Sequence, residues 1–354
     1  MTAIEDLRLG FIGLGNIAHF HADAVREVGA IVAAGTDIEE AARRTFAEEY
    51  GAETFADPQK MFETVDAVIV STPNRFHEEY VVASLEAGVD VLVEKPLAHT
   101  LESAERVVET AEESDAFCMV GFHNRFRDPV KVLNQYRLDG DMGEVNHIEA
   151  NYVRRRGVPG RGSWFTRKEV SGGGSVIDIG THALDLGLHL MGFPEVHEVS
   201  AQTRSQFGTE EDYTYIDMWG EDQGSGAFDV DDSATAFVRC EGGKTLSLEV
   251  AWATNRHPTQ EIVIRGTGAG AHLDMATDSL EVLETTPQGA SHHRDIEIET
   301  AGDEPHAVEE EYFLEHVARD EHPEMNTVEE AFVVQKIMDA IYRSSERGEA
   351  VTVR

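Results

Sequence analysis

Cysteine is almost absent from this 354-residue chain, which holds only Cys118 and Cys240. Two thiols so far apart make neither a disulfide framework nor a zinc knuckle, which excludes a stapled secreted scaffold and suits a reducing compartment. Long apolar runs are missing too: no stretch reaches the ~18 residues that would argue a membrane span. The start, MTAIEDLRLG, has no basic segment leading into an apolar one, so a secretory signal is not expected and a cytoplasmic location is. Positive charge is equally scarce. Lysine and arginine total 29 against 67 acidic residues, a net charge of −38. Such a surface makes nucleic acid a poor partner. At low salt it repels itself, whereas at molar salt the Debye length falls to about 3 Å and the repulsion is screened. The acidic excess runs the whole length rather than sitting in a tail, which reads as adaptation to a salty cytoplasm. An acidic mesophilic protein is the alternative.

The residues that are present suit a folded enzyme. An apolar share of 41% and an aromatic share of 8% supply a sizeable core. Up to residue 122, short apolar runs alternate with helical patterns. Strands are predicted at Leu7–Ile12, Ala30–Thr36, Glu53–Phe55, Asp66–Thr72, Val89–Pro96 and Ala116–Phe122. Helices are predicted at Asn16–Val28, Glu39–Tyr50, Phe76–Ala87 and Leu101–Ser114. Continuous apolar strands separated by helices indicate a parallel sheet covered on both faces, joined by right-handed crossovers. After about residue 128 the pattern changes. A helix at Pro129–Leu138, a strand at Val145–Val153 and an irregular stretch Arg154–Trp164 precede a helix at Val176–Met191. Alternating strands follow at Glu198–Arg204, Ser233–Arg239, Thr245–Trp252, Gln260–Arg265, Ala271–Met275 and Leu280–Glu284. Helices at Ala307–Arg319 and Val328–Ser345 come last. The acidic, glycine-rich Gly220–Asp232 reads as an exposed loop, and His292–His293 as part of a polar loop. The expected fold class is α/β, a parallel-sheet domain over residues 1–127 and an α+β domain with a mainly antiparallel sheet over 128–354. A terminal helix packing back on the first domain is compatible with this division.

Between the first strand and helix lies Gly13-Leu14-Gly15-Asn16-Ile17-Ala18, a G-x-G-x-x-A turn. One glycine permits the turn, the second lets backbone approach a pyrophosphate, and the small third residue allows close packing. The helix N-terminus then offers free N–H groups. Asp37 ends the next strand, placed to accept hydrogen bonds from an adenosine ribose. Its charge would repel a 2′-phosphate, which favours NAD over NADP. Arg43 and Arg44 keep NADP open, although i,i+4 pairs with Glu39, Glu40 and Glu48 are the expected use of these arginines.

Three motifs fall at strand carboxyl ends, where ligands bind in open α/β sheets. They are Ser71-Thr72-Pro73-Asn74 with His77, Glu94-Lys95-Pro96, and Gly121-Phe122-His123-Asn124-Arg125. Strand-ending turn chemistry is the bland account of each. It is weakest for Lys95, because the chain has just six lysines and sets this one between a carboxylate and a proline. A lysine there can stabilise developing negative charge on a substrate oxygen. A fourth motif is Gly172 to His182, GGGSVIDIGTH. Asp178 and His182 are four apart on a predicted helix and share a face. A carboxylate beside an imidazole raises its pKa and orients it for proton transfer near neutral pH. His182, Asp185 and His189 as metal ligands are the weaker reading of the same face.

Taken together, these motifs resemble the Gfo/Idh/MocA oxidoreductases, the family of glucose–fructose oxidoreductase and inositol dehydrogenase. The resemblance covers essentially the whole chain and rests on GLGNIA, STPNxxH at 71–77, EKP at 94–96 and GGGSVIDIGTHALDL at 172–186. It implies a Rossmann domain and a second domain whose open sheet forms a homodimer or homotetramer interface. It also implies NAD or NADP without a metal, and Lys95, Asp178 and His182 as catalytic residues. Gly13, Gly15, Asn16, Ile17, Asp37, Ser71, Thr72, Asn74, His77, Glu94, Lys95 and Asn124 would then hold the cofactor. Arg125, Trp164 and the Tyr152–Arg156 stretch would line the pocket of a sugar or polyol. Lys95 is an alternative proton carrier. A dihydrodiol, imine or tetrapyrrole substrate, or a non-catalytic NAD-binding regulator, are the competing functions.

Overall fold

The structure, a computed structural model, describes residues 2–216 and 218–353. It divides into two compact units, Met1–Phe126 with Asp303–Gln335, and Arg127–Gly302 with Lys336–Arg354.

In the first unit, strands β1 (Arg8–Ile12), β2 (Ile31–Thr36), β3 (Glu53–Phe55), β4 (Ala67–Val70), β5 (Asp90–Glu94) and β6 (Cys118–Gly121) alternate with helices. These are α1 (Asn16–Val28), α2 (Glu40–Tyr50), α3 (Pro58–Phe62), α4 (His77–Glu86) and α5 (Leu101–Glu113). The sheet runs β3-β2-β1-β4-β5-β6, every pair parallel. All four residues of β4 and of β6 are buried, as strands covered on both faces must be. The reversal of order between β1 and β4 makes a switch point at the carboxyl ends of the strands, where Gly13 and Ser71 lie.

Helix α9 (Pro305–Arg319) belongs to this unit and packs on α1. Phe313, Leu314 and Ala318 join the core with Phe117 and Phe126. Beyond α9, the Val120 N–H donates to the Asn326 carbonyl at 2.8 Å, so the returning chain covers the β6 edge.

In the second unit, α6 (Asp128–Leu138) leads into β7 (Val145–Val153). A short α7 (Lys168–Ser171) and a π-helical turn at Val176–Gly180 precede α8 (Thr181–Met191). Strands β8 (Val196–Arg204), β9 (Ser233–Cys240), β10 (Thr245–Ala251), β11 (Thr259–Gly266), β12 (Ala269–Asp274), β13 (Ser279–Thr286) and β14 (His292–Ile298) follow. The division between the units falls inside α10 (Val328–Arg347), and β15 (Val351–Thr352) comes after it. The nine-stranded sheet runs β14-β13-β12-β11-β7-β10-β9-β8-β15. It is antiparallel except where β7 lies parallel to β10. Along β9 buried positions alternate with partly or fully exposed ones, and α8 covers β7.

Four sequence expectations are corrected here. His292 and His293 open β14 rather than a loop, since a charged edge strand has no apolar alternation to reveal it. The single helix expected over Val176–Met191 begins as a π-helical turn. The loop expected over 220–232 ends in buried residues, Phe228 and Val230 to Asp232. Arg43 donates to the carbonyls of Asp37 (2.5 Å) and Ile38 (3.2 Å) instead of pairing with glutamates one helical turn away.

Candidate functional site

The glycine turn is held by its neighbours. Gly13 has φ +85°, and a Cβ there would stand 2.8 Å from Thr72 Cγ2, so both conformation and space demand glycine. Ser71 Oγ donates to the Gly13 carbonyl at 2.9 Å. Gly15 is different. Its φ of −81° is open to any residue, and a Cβ there would meet nothing within 4 Å. Neither backbone strain nor a protein neighbour accounts for glycine at the N-cap of α1. Gly is a favoured N-cap, and its bare Cα would also let a pyrophosphate approach the amides of that helix end. Asn16, Ile17 and Ala18 form the first turn. Ile17 is half exposed, and Ile38, beside Asp37, is 83% exposed.

Asp37 joins the two sides of this turn. Oδ2 accepts the Leu14 N–H and Oδ1 the Glu39 N–H, both at 2.8 Å. A carboxylate accepts about four hydrogen bonds, so capacity remains for ribose hydroxyls. These residues therefore fit a dinucleotide. Replacing Gly15 with Val should weaken NADH binding by roughly tenfold or more while lowering the melting temperature only slightly, since Val caps a helix less well than Gly. Fluorescence titration and thermal unfolding check this, and tight binding by the variant would remove Gly15 from the site.

The other strand-end motifs divide into ligand candidates and clamps. Lys95 follows β5 directly, joined to Pro96 by a cis peptide bond. His77 is buried, each ring nitrogen 2.8 Å from a carbonyl oxygen, of Pro96 and of Thr72. Burial pushes its pKa below the usual value, against the two carbonyl contacts, which push it up. His77 thus ties the turn after β4 to the turn after β5. Both of its polar atoms lie against backbone carbonyls. Both oxygens of Glu94 are engaged as well, with His21 and with the backbone N–H of Lys95. Asn74 starts a short 3₁₀ turn at 74–76 and Asn124 sits in another at 123–126, both buried. The Arg125 side chain is 0% exposed and pairs with Glu330 at 2.5 Å, which ties it to the returning chain.

In the second unit the structure gathers Tyr152, Arg154, Asp178 and Trp252. Trp252 Nε1 donates to Asp178 Oδ2 at 2.9 Å, and Arg154 lies 3.8 Å from the same oxygen. The Arg154 guanidinium sits 5.3 Å from the Tyr152 ring centroid. Asp178 lies in the π-helical turn and His182 in the first turn of α8. Such turns are rare and gather at functional sites. Trp164 stacks on Phe165, centroids 3.7 Å apart, and Phe165 meets Trp219 edge-on. Asp185 and His189 are buried, and among the described residues no three acidic, histidine or cysteine side chains form a metal cluster.

Sequence reasoning missed Trp252 and Asp231. Asp231 accepts the Gly174 N–H (2.8 Å), the Val176 N–H (3.0 Å), Ser175 Oγ (2.7 Å) and the Tyr342 hydroxyl (2.7 Å). A Cβ on Gly174 would stand 1.8 Å from the Asp231 carbonyl oxygen, and one on Gly173 2.0 Å from the Tyr342 hydroxyl. The glycine run therefore packs against protein. Its proximity to a loop carboxylate 57 residues beyond Gly174 leaves no mark in sequence.

Comparison with known proteins agrees with these observations. Residues 7–122 match the family described as "Oxidoreductase family, NAD-binding Rossmann fold", and residues 131–272 match the "GFO/IDH/MocA C-terminal domain". A D-glucoside 3-dehydrogenase of Escherichia coli (strain K12) is 33% identical over 98% of this chain and 97% of its own. The chain belongs to the Gfo/Idh/MocA oxidoreductase family. An NAD(+)-dependent scyllo-inositol 2-dehydrogenase of Bacillus subtilis (strain 168) is 32% identical over 66% of this chain and 68% of its own. Levoglucosan dehydrogenase, solved with NADH and levoglucosan, has the same fold, with a TM-score of 0.85 at 22% identity over 98% of this chain and 99% of its own. As a Gfo/Idh/MocA oxidoreductase the protein carries an NAD-binding Rossmann domain, and its cofactor is a nicotinamide dinucleotide.

Proposed function

We propose that this oxidoreductase interconverts a secondary alcohol and a ketone on a sugar, sugar acid or cyclitol, with NAD preferred over NADP. The observation that carries the reading is the Asp178 carboxylate, gripped by Trp252 in a π-helical turn four residues before His182. A relative matched over 97% of its length is named a D-glucoside 3-dehydrogenase. When bound, nicotinamide accepts or returns the hydride. His182 takes or gives the hydroxyl proton, Asp178 orients His182, and Lys95 stabilises the substrate oxygen. Tyr152 and Trp164 offer the ring faces and hydroxyl that a polyol needs. Asp37 disfavours a 2′-phosphate through like-charge repulsion.

The proposal extends to a salt-adapted cytoplasmic protein that forms a homodimer or homotetramer through the nine-stranded sheet. The partly exposed face of that sheet, Leu283 among it at 39%, supports the interface, and the charge of −38 supports salt adaptation. No helix among the described residues is long and apolar enough to cross a membrane.

The deciding experiment follows NAD reduction against a panel of aldoses, glycosides, sugar acids, inositols and aromatic diols, at low and at molar salt, with sizing in the same buffers. Turnover of polyols that rises with salt is expected. Turnover confined to the aromatic diols would sink the substrate class, and activity highest at low salt would sink the salt reading.

A further inference from the structure

His21, on α1, is 1% exposed and lies between two carboxylates. Its Nε2 is 3.0 Å from Glu94 Oε1, and its Nδ1 bonds to Oε1 of Glu310 on α9. Carboxylate oxygens only accept, so both ring nitrogens donate and the ring is an imidazolium. Burial pushes its pKa down, but the charge and hydrogen bonds of Glu310 and Glu94 outweigh burial and raise it well above the usual value. Burial likewise pushes the Glu94 carboxyl up, and the hydrogen bond and charge of His21, with the charge of Lys95, bring it down to about 2.

This triad is a poor device for stability. Buried ion pairs are often matched or bettered by apolar packing. Glu310 adds a buried Oε2 with no hydrogen-bond partner among the described residues, which costs stability. What the triad does achieve is direction. With Oε1 held by His21, the second oxygen of Glu94 accepts the backbone N–H of Lys95 at 3.1 Å. The carboxylate is a rigid bridge from a buried cation to the residue that follows β5.

We infer that His21 is a positioning residue for Lys95: it holds the Glu94 carboxylate, which fixes the Lys95 backbone at the end of β5, while Glu310 holds the far side of the ring. This rests on the reading of Lys95 as the group that acts on the substrate oxygen. Neither His21 nor Glu310 touches substrate in this account.

Two variants test it, His21→Gln and the nearly isosteric Glu94→Gln, each in the full-length protein. Lys95 position is read by trace acetylation with acetic anhydride and peptide mass spectrometry, with the exposed Lys60 as internal control. Acetylation of Lys95 should rise about threefold or more in both variants as the turn loosens, while Lys60 stays unchanged. With the best substrate from the panel, kcat should fall about 10- to 100-fold, the scale of a misplacement near 1 Å. The NADH dissociation constant should move little in His21→Gln, which lies outside the cofactor residues, and the double variant should be no slower than the worse single one, since both act through one contact. Wild-type acetylation of Lys95 in Glu94→Gln overturns the inference even if His21→Gln does not fold, and strictly additive losses in kcat overturn it as well. A wild-type protein that oxidises no polyol would sink the proposed function and leave the acetylation result standing.

Discussion

Replacing His182 with Ala should lower kcat by about 10²- to 10⁴-fold, the usual contribution of a positioned proton-transfer group. Replacing Lys95 with Met should lower it comparably, because a polarising charge is lost where the substrate oxygen changes its charge. Neither change touches Gly13, Gly15 or Asp37, so NADH affinity should change far less than turnover. The shapes of the pH–rate curves separate the two roles. If His182 carries the proton, the limb of the profile near neutral pH disappears in His182→Ala and survives in Lys95→Met. The opposite pattern transfers the proton to Lys95. Wild-type-like turnover in either variant removes that residue from the chemistry.

Replacing Asp231 with Ala should destabilise the protein by about 3–5 kcal/mol, because buried donors that lose a charged acceptor keep the full cost of leaving water. Four donors lose it together: the N–H groups of Gly174 and Val176, Ser175 Oγ and the Tyr342 hydroxyl. The Tyr342 hydroxyl is already pushed well above its usual pKa, first by burial and then by the Asp231 charge, so it stays a donor throughout the working range. Turnover should fall with stability, since the released turn leads directly into Asp178. Asp231→Asn keeps the shape and one acceptor oxygen and should cost less. Denaturant unfolding and kcat under identical salt check both variants. A loss below about 1 kcal/mol in Asp231→Ala would show that the turn holds itself.

The clamps show why residue type at a strand end is a poor guide to exposure. His77 and Arg125 are polar residues at strand ends, and both are buried and bonded within the scaffold. Sequence position indicates which end of a sheet a residue reaches. Burial depends on what packs over it, and for Arg125 that is Glu330, two hundred residues later. Strand β14 was hidden for the complementary reason: an exposed edge needs no apolar face, so His292 to Asp295 carry no periodic signal.

By itself the sequence determined the local architecture. Short continuous apolar runs, alternating with helical patterns, indicate strands covered on both faces, a Gly-x-Gly between strand and helix makes a turn that leaves helix amides free, and Asp37 follows at the next strand end. Each is a consequence of neighbouring residues, so spacing is enough to read it. Only the tertiary structure decided which buried groups meet: Trp252 on Asp178, Asp231 beneath the glycine run, and His21 between Glu94 and Glu310. Those pairs lie 57 to 289 residues apart in the chain. A side chain's own identity says that it needs a partner when buried, and only the packed core says which one it finds.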